Sequence, residues 1–162
     1  MYYRTLYYDT SLKRKDMAHM RKRKKTGIMF VILLSLITAS IYLQYGREID
    51  VSRSYPVISQ NYCEENITVV VPRLVIIDER ECAEEIINKC RKNNFMSIKF
   101  SYDIEKPNAL YGTVYLAPLG IKCQKLEFTF RYIQKHGEYG SYNILDNPDE
   151  FILEIDGQGI ND

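Results

Sequence analysis

The chain has few of the residues and motifs from which common enzyme sites are built. It has two histidines, His19 and His136, and contains no HExxH motif, no GxSxG motif and no phosphate-binding glycine loop. Its four cysteines form no CxxC pair, which argues against a redox couple and a structural zinc site. A nucleophilic pair of Cys63 or Cys123 with His136 has no support in the spacing. We therefore expect no catalytic residue, no metal site and no cofactor.

The cysteines also allow few disulfide bonds. Cys82 and Cys90 fall on one predicted helix, about 12 Å apart along its axis, beyond the roughly 7 Å limit between bridged Cα atoms. Any bridge from either of them would run to Cys63 or Cys123. Both positions lie on an apolar stripe, where free cysteine behaves as a small hydrophobic residue. The leading interpretation is buried free thiols, with one or two disulfides as the alternatives in an exported domain.

One long segment carries no charge. Residues 27–43 read GIMFVILLSLITASIYL and follow directly on the basic cluster Arg21–Lys25, apart from Thr26. A helix of this length spans roughly 25 Å, enough for a thin bilayer. We predict a transmembrane signal-anchor helix over 27–45 that contacts the lipid bilayer, with Tyr42 and Tyr45 at the headgroup layer.

A cleaved signal peptide is the main alternative to this anchor. Its apolar core would be residues 28–37, and the small residues Thr38–Ser40 would form an imperfect cleavage site. The apolar character continues through Ile41–Leu43, past that site, which favours a retained anchor. Cleavage would instead release a secreted soluble factor.

Charge is distributed unevenly along the chain. Residues 1–26 carry a net charge of +7 and residues 46–162 a net charge of −6. Because short basic flanks stay cytoplasmic, we predict a single-pass protein of the cell membrane with a cytoplasmic tail at 1–26 and an extracytoplasmic C-terminal part. This topogenic role explains the basic run, so no nucleic-acid partner is expected. Ile, Lys, Tyr and Asn make up 54 of the 162 residues, a bias compatible with a bacterial cell envelope.

The C-terminal part is long enough for one domain. Residues 46–66 mix charge, Ser, Pro and Asn without a sustained period and predict a stalk or lead-in. Residues 67–156 are predicted to form the extracytoplasmic domain, and residues 157–162 a flexible C-terminus.

A helix is predicted over residues 79–92. Asp78 is a suitable N-cap, and Glu81 can complete a capping box. Acidic residues come early and basic residues late, which complements the helix dipole. Asn93 and Asn94 can end the helix, since Asn tolerates the left-handed conformation. The apolar positions form one stripe: Cys82, Ala83, Ile86, Ile87 and Cys90.

Strands are predicted from β-branched runs and period-2 alternation. They fall at 67–71, 96–102, 112–116, 126–132 and 151–155, with a further short apolar run at 74–77. One main helix packed on four to five strands, each with one apolar face, predicts an α+β fold with a mostly antiparallel sheet. Short connections favour a meander.

The best candidate for a contact surface is the segment QKHGEYGSYNILDN at 134–147. His136, Tyr139 and Tyr142 lie there among glycines on a polar loop, as in many binding loops. The alternative is a long hairpin connection with no partner. We predict a non-enzymatic interaction or assembly module that binds a protein partner or its own copies. The alternative function is a small-ligand-binding or enzymatic domain that uses the concave sheet face.

Overall fold

The computed structural model describes residues 27–117, 125–137 and 140–157, and the chain divides into two units between Tyr42 and Leu43. Helix α1 is Gly27–Tyr45. Its residues up to Tyr42 are the described part of the first unit, and its last three residues belong to the second unit. By length and composition α1 could cross a membrane, and a signal sequence near the N-terminus would meet the same criterion. Its apolar side chains are exposed.

The second unit contains a five-stranded mixed sheet and one long helix. The strands are β1 (Asp50–Ser59), β2 (Tyr62–Val71), β3 (Ala109–Leu116), β4 (Lys125–Gln134) and β5 (Phe151–Gly157), and helix α2 is Glu79–Arg91. The strands lie in chain order across the sheet. The β2–β3 pairing is parallel and the other three are antiparallel. The predicted α+β class is confirmed.

The connection between β2 and β3 differs from the predicted meander. Parallel neighbours need a crossover of about a dozen residues or more, usually with a helix. Residues 72–108 supply that crossover and contain α2. Among the described strands, the antiparallel pairing of a meander is found for β1–β2 and for β3–β4–β5. It is interrupted between β2 and β3, which are parallel.

Local chemistry sets both ends of α2. The Asp78 carboxylate accepts hydrogen bonds from two backbone N–H groups of the first turn, at 2.8 and 3.0 Å. At the other end Asn93 has φ 50°, and the N–H groups of Asn93 and Asn94 donate to carbonyls of the last turn in a Schellman arrangement. The predicted helix, its N-cap Asp78 and its end before Asn93 are thus confirmed, with Arg91 as the last helical residue. The whole predicted stripe is buried: Cys82, Ala83, Ile86, Ile87 and Cys90.

The core lies between α2 and one face of the sheet. Alternate residues of each strand contribute to it, as the pleat requires. Gly112 faces the ring of Phe130 on β4 and leaves the space that the ring fills. The other sheet face carries polar and aromatic side chains, one row of which is Tyr55, Asn66, Tyr111, Arg131 and Glu154.

Segment 96–102, predicted as a strand, forms no strand in the structure. Its burial alternates from residue 97 to residue 102, where Ile98, Phe100 and Tyr102 are buried or half-buried and the residues between them are exposed. Met96, predicted on the same face, is instead 79% exposed. Its backbone groups bond to side chains instead of a neighbouring strand. Asp50 Oδ1 accepts from the N–H of Met96 at 3.1 Å, and Asn93 Oδ1 accepts from the N–H of Phe100 at 2.8 Å. With these donors satisfied, the segment does not need a sheet partner.

Residues 46–66, predicted as a stalk or lead-in, also differ. Most of them form β1 and the first half of β2, joined as a hairpin. Ile49 and Val51 are buried in the core, so the folded unit begins before β1. Of the predicted flexible C-terminus 157–162, Gly157 is the last residue of β5, and the rest lies outside the described residues.

Candidate functional site

A cleft of about 290 Å³ opens between the β1–β2 hairpin and the segment that follows α2. Ser54, Pro56 and Ile58 form one wall, because a strand directs every second side chain to the same face. Cys63 and Glu65 of β2 lie at its floor. The opposite wall is formed by Lys99, Phe100, Ser101, Tyr102, Ile104 and Glu105.

Glu65 is the most unusual residue of this cleft, since it carries an ionisable side chain and is only 6% exposed. The register places it between Pro56 of β1 and Leu110 of β3. Ser54 Oγ donates a hydrogen bond to Glu65 Oε1 at 2.5 Å. No ion pair among the described residues includes it.

Burial raises the pKa of Glu65, and the hydrogen bond from Ser54 opposes that effect only in part. An ionised carboxylate here is costly unless a cation or another hydrogen-bond donor enters the cleft. The cleft therefore has the chemistry of a site for a positively charged group, with a buried carboxyl at its floor and walls that combine apolar side chains with Lys99 and Glu105.

Cys63 lies beside Glu65 but is not an activated thiol. Burial raises the pKa of this thiol to about 11, and the neighbouring carboxylates act in the same direction. The thiolate is therefore scarce at neutral pH, and the thiolate is the nucleophilic form. His136 lines a different and smaller cleft of about 150 Å³, together with Tyr62 and Tyr111. The two residues considered as a nucleophilic pair thus occupy separate clefts.

The other described cysteines belong to the core. Cys63, Cys82 and Cys90 are free, which confirms the free-thiol interpretation for these three. Burial raises the pKa of the Cys82 thiol to about 11 and that of Cys90 further. The Tyr102 hydroxyl donates to the Cys90 carbonyl at 2.9 Å, which ties α2 to the cleft wall. Cys123 lies outside the described residues.

The predicted contact loop is partly fixed by the core. Tyr142 is half-buried and packs against the core, and its carbonyl accepts a hydrogen bond from Asn108 Nδ2 at 2.8 Å. Ile144, two residues later, is fully buried. His136 is exposed, and Tyr139 lies outside the described residues. Partner binding by His136, Tyr139 and Tyr142 stays a prediction.

β1 is an edge strand, paired on one side with β2. Tyr55, Val57 and Ile58 are 52%, 47% and 57% exposed. Tyr55 and Val57 point away from the cleft, whereas Ile58 lines it. Pro56 has no N–H group, and edge strands are where sheets tolerate that loss. Sequence reasoning missed this strand, because its only β-branched pair is Val57–Ile58 and Gln60–Asn61 is not among the common hairpin dipeptides.

Among the described residues, no group of three or more His, Cys, Asp or Glu side chains could hold a metal ion. No family model, no curated protein and no solved structure matches the chain. Its function is therefore inferred from its own residues.

Proposed function

We propose that this chain is a single-pass, membrane-anchored interaction module. Its extracytoplasmic domain binds an extended segment of a protein partner, or of a second copy, along β1. Membrane anchorage is supported by the length of α1 and by its exposed apolar side chains, because a contiguous apolar surface of this kind is unfavourable in water. The basic residues before α1 and the acidic balance after it support a cytoplasmic N-terminus.

The exposed edge of β1 is the observation that carries the binding proposal. A strand edge presents unpaired N–H and C=O groups, which proteins commonly protect with charged side chains. Residues 54–59 carry no charge, and Tyr55, Val57 and Ile58 present apolar surface on both sides of the strand. Such an edge suits strand addition, in which main-chain bonds supply affinity and alternate side chains supply specificity.

The cleft beside β1 would supply that specificity. A strand added outside β1 directs alternate side chains over the cleft, next to Pro56 and Ile58. The Glu65 carboxylate at the floor favours a Lys or Arg side chain there, because a charge-assisted hydrogen bond offsets its buried charge. The partner segment is thus extended and mostly apolar, with one basic residue facing the cleft.

Site-specific photo-crosslinking in native membranes tests this proposal. A photo-reactive residue at Val57 should capture one defined segment, and Glu65→Gln should weaken that capture. The matched control is the same photo-reactive residue at Ile152, which is 44% exposed on the opposite edge strand, β5. Equal capture at both edges, or none at Val57, would contradict binding along β1.

One observation favours a second candidate function, the binding of a small cationic molecule. The cleft volume lies near the lower end of the range for ligand pockets, and its buried carboxyl suits an organic amine. Val57→Lys separates the two functions, because Val57 faces away from the cleft. It should abolish capture of a strand and leave small-amine binding unchanged.

A further inference from the structure

An uncharged apolar loop follows β2. Leu74, Val75 and Ile77 are 40%, 49% and 81% exposed, while Ile76 packs against the core. Single exposed apolar side chains are ordinary on a protein surface, but a contiguous group marks a contact site. The apolar residues of Leu74–Ile77 therefore need a cover that the described domain does not supply.

The side chain of Gln44 holds this loop. Its Nε2 donates to the Val75 carbonyl at 2.9 Å, and its Oε1 accepts from the N–H groups of Leu74 and Val75 at 3.1 and 3.3 Å. Gln44 and the loop belong to the same folded unit, and that unit starts at Leu43. Three backbone groups are thus satisfied inside the protein, as an environment with little water requires.

The position of Gln44 in the chain indicates that the membrane surface covers the apolar side chains of the loop. Gln44 directly follows Leu43, the last residue of the apolar run 27–43, and lies one residue before the end of α1 at Tyr45. A loop bonded to Gln44 is therefore held next to the point at which the chain leaves the membrane. Arg73 ties the start of the loop to α2 through an ion pair with Glu85 at 2.6 Å.

We infer that the loop Leu74–Ile77 is a second membrane contact, with Leu74, Val75 and Ile77 in the headgroup–acyl boundary of the outer leaflet. This inference rests on the proposed membrane anchorage. Aliphatic side chains gain free energy on leaving water for that boundary.

Apolar burial, and not headgroup charge, drives this contact. The residues that follow the loop are mainly acidic: Asp78, Glu79, Glu81, Glu84 and Glu85, against Arg80. Anionic lipids attract basic segments and give no such gain here. The fitting partner is a zwitterionic or neutral lipid surface.

Fluorescence in vesicles tests the inference, because the chain has no tryptophan. Ile77→Trp in the full-length chain introduces one fluorophore at an exposed site. In phosphatidylcholine vesicles with brominated acyl chains, we expect blue-shifted emission and strong quenching. The matched control, Ile104→Trp, replaces an 82% exposed residue of the cleft wall and should emit as in water, without quenching by the lipid.

Three further measurements separate the outcomes: flotation with vesicles, the Gln44→Ala change and the addition of anionic lipid. Chain that fails to float with vesicles would refute membrane anchorage itself, whereas floating chain with a water-like Ile77→Trp emission would overturn only the loop contact. A blue shift without quenching by brominated lipid would assign the loop to a protein contact and also overturn it. Gln44→Ala should reduce the quenching of the Ile77→Trp variant. Added anionic lipid should not increase the quenching, and a requirement for anionic lipid would contradict the apolar mode.

Discussion

Ser54→Ala tests the description of the cleft floor. The Ser54 hydroxyl donates to the Glu65 carboxylate at 2.5 Å, and Glu65 is only 6% exposed. Without that donor the carboxylate keeps its burial and loses its partner. Leaving a buried acceptor unsatisfied costs about 1–3 kcal/mol of stability, and more when the acceptor is charged. We expect a loss of that size at neutral pH.

The same strand offers a matched control. Ser52 Oγ donates to the Thr68 carbonyl at 3.2 Å, but Ser52 is exposed. Water can replace its hydroxyl, so Ser52→Ala should change the free energy of unfolding by about 0.5 kcal/mol or less. Both variants remove one hydroxyl from β1 and differ in the burial of the acceptor. The difference between them therefore isolates the buried bond.

The loss should depend on pH. Burial raises the pKa of Glu65 in the folded state, so its stabilising contribution is present below the unfolded value of roughly 4.3 and is lost as pH rises through the folded pKa. The Ser54 hydrogen bond lowers that folded pKa. Ser54→Ala should therefore cost more at about pH 7 than at about pH 4. Urea denaturation of the full-length chain in detergent, followed by circular dichroism, measures both values.

Two results would refute this reasoning. Equal small losses for Ser54→Ala and Ser52→Ala at both pH values would mean that the Glu65 carboxylate is solvated. A Ser54→Ala loss of undiminished size in the Glu65→Gln background would assign the effect to packing of Ser54, since a neutral amide needs the donor less.

Three other predictions concern the core and the start of the sheet, and the same denaturation assay checks them. Ile86→Ala should cost about 2–5 kcal/mol because Ile86 is fully buried, and Glu84→Ala about 0.5 kcal/mol or less; equal small effects would show that the stripe is not core. Gly112→Ala should cost about 1–3 kcal/mol, since a Cβ there overlaps the Phe130 ring, and Phe130→Leu should recover part of that loss. Burial raises the pKa of Asp50, but its hydrogen bonds outweigh burial and lower it overall, so its stabilisation is lost as pH falls through the folded value. Asp50→Asn should therefore flatten the acid limb of the stability curve.

The elements predicted well are those whose local chemistry and final role agree. In α2 the cap Asp78, the apolar stripe and the terminal Asn93 all favour the same helix, and the packing uses them in that way. On β4 the alternation of Phe128, Phe130 and Tyr132 matches a strand with one buried face. In these elements no contact from a distant part of the chain was needed to choose the structure.

The predictions that failed concern segments whose structure depends on contacts with residues far away in the sequence. Segment 96–102 has the alternation of a strand, but the Asp50 and Asn93 side chains take its backbone donors. β1 has no regular apolar period, and its pairing with β2 makes it a strand. Nothing in the sequence around Glu65 distinguishes it from the other acidic residues. Its burial follows from the strand register, which places it between Pro56 and Leu110.

The start of β1 bears on how well its edge can bind. Residues 46–49 connect α1 to β1 and are not a loose stalk, because Ile49 is buried and Lys89 of α2 holds this connection. Lys89 Nζ donates to the Glu48 carboxylate and to the Ile49 carbonyl, each at 3.1 Å. Binding an extended segment costs less conformational entropy when the receiving strand is already ordered. The contacts of Lys89 therefore favour capture along β1, because they hold the residues that lead into this strand before a partner binds.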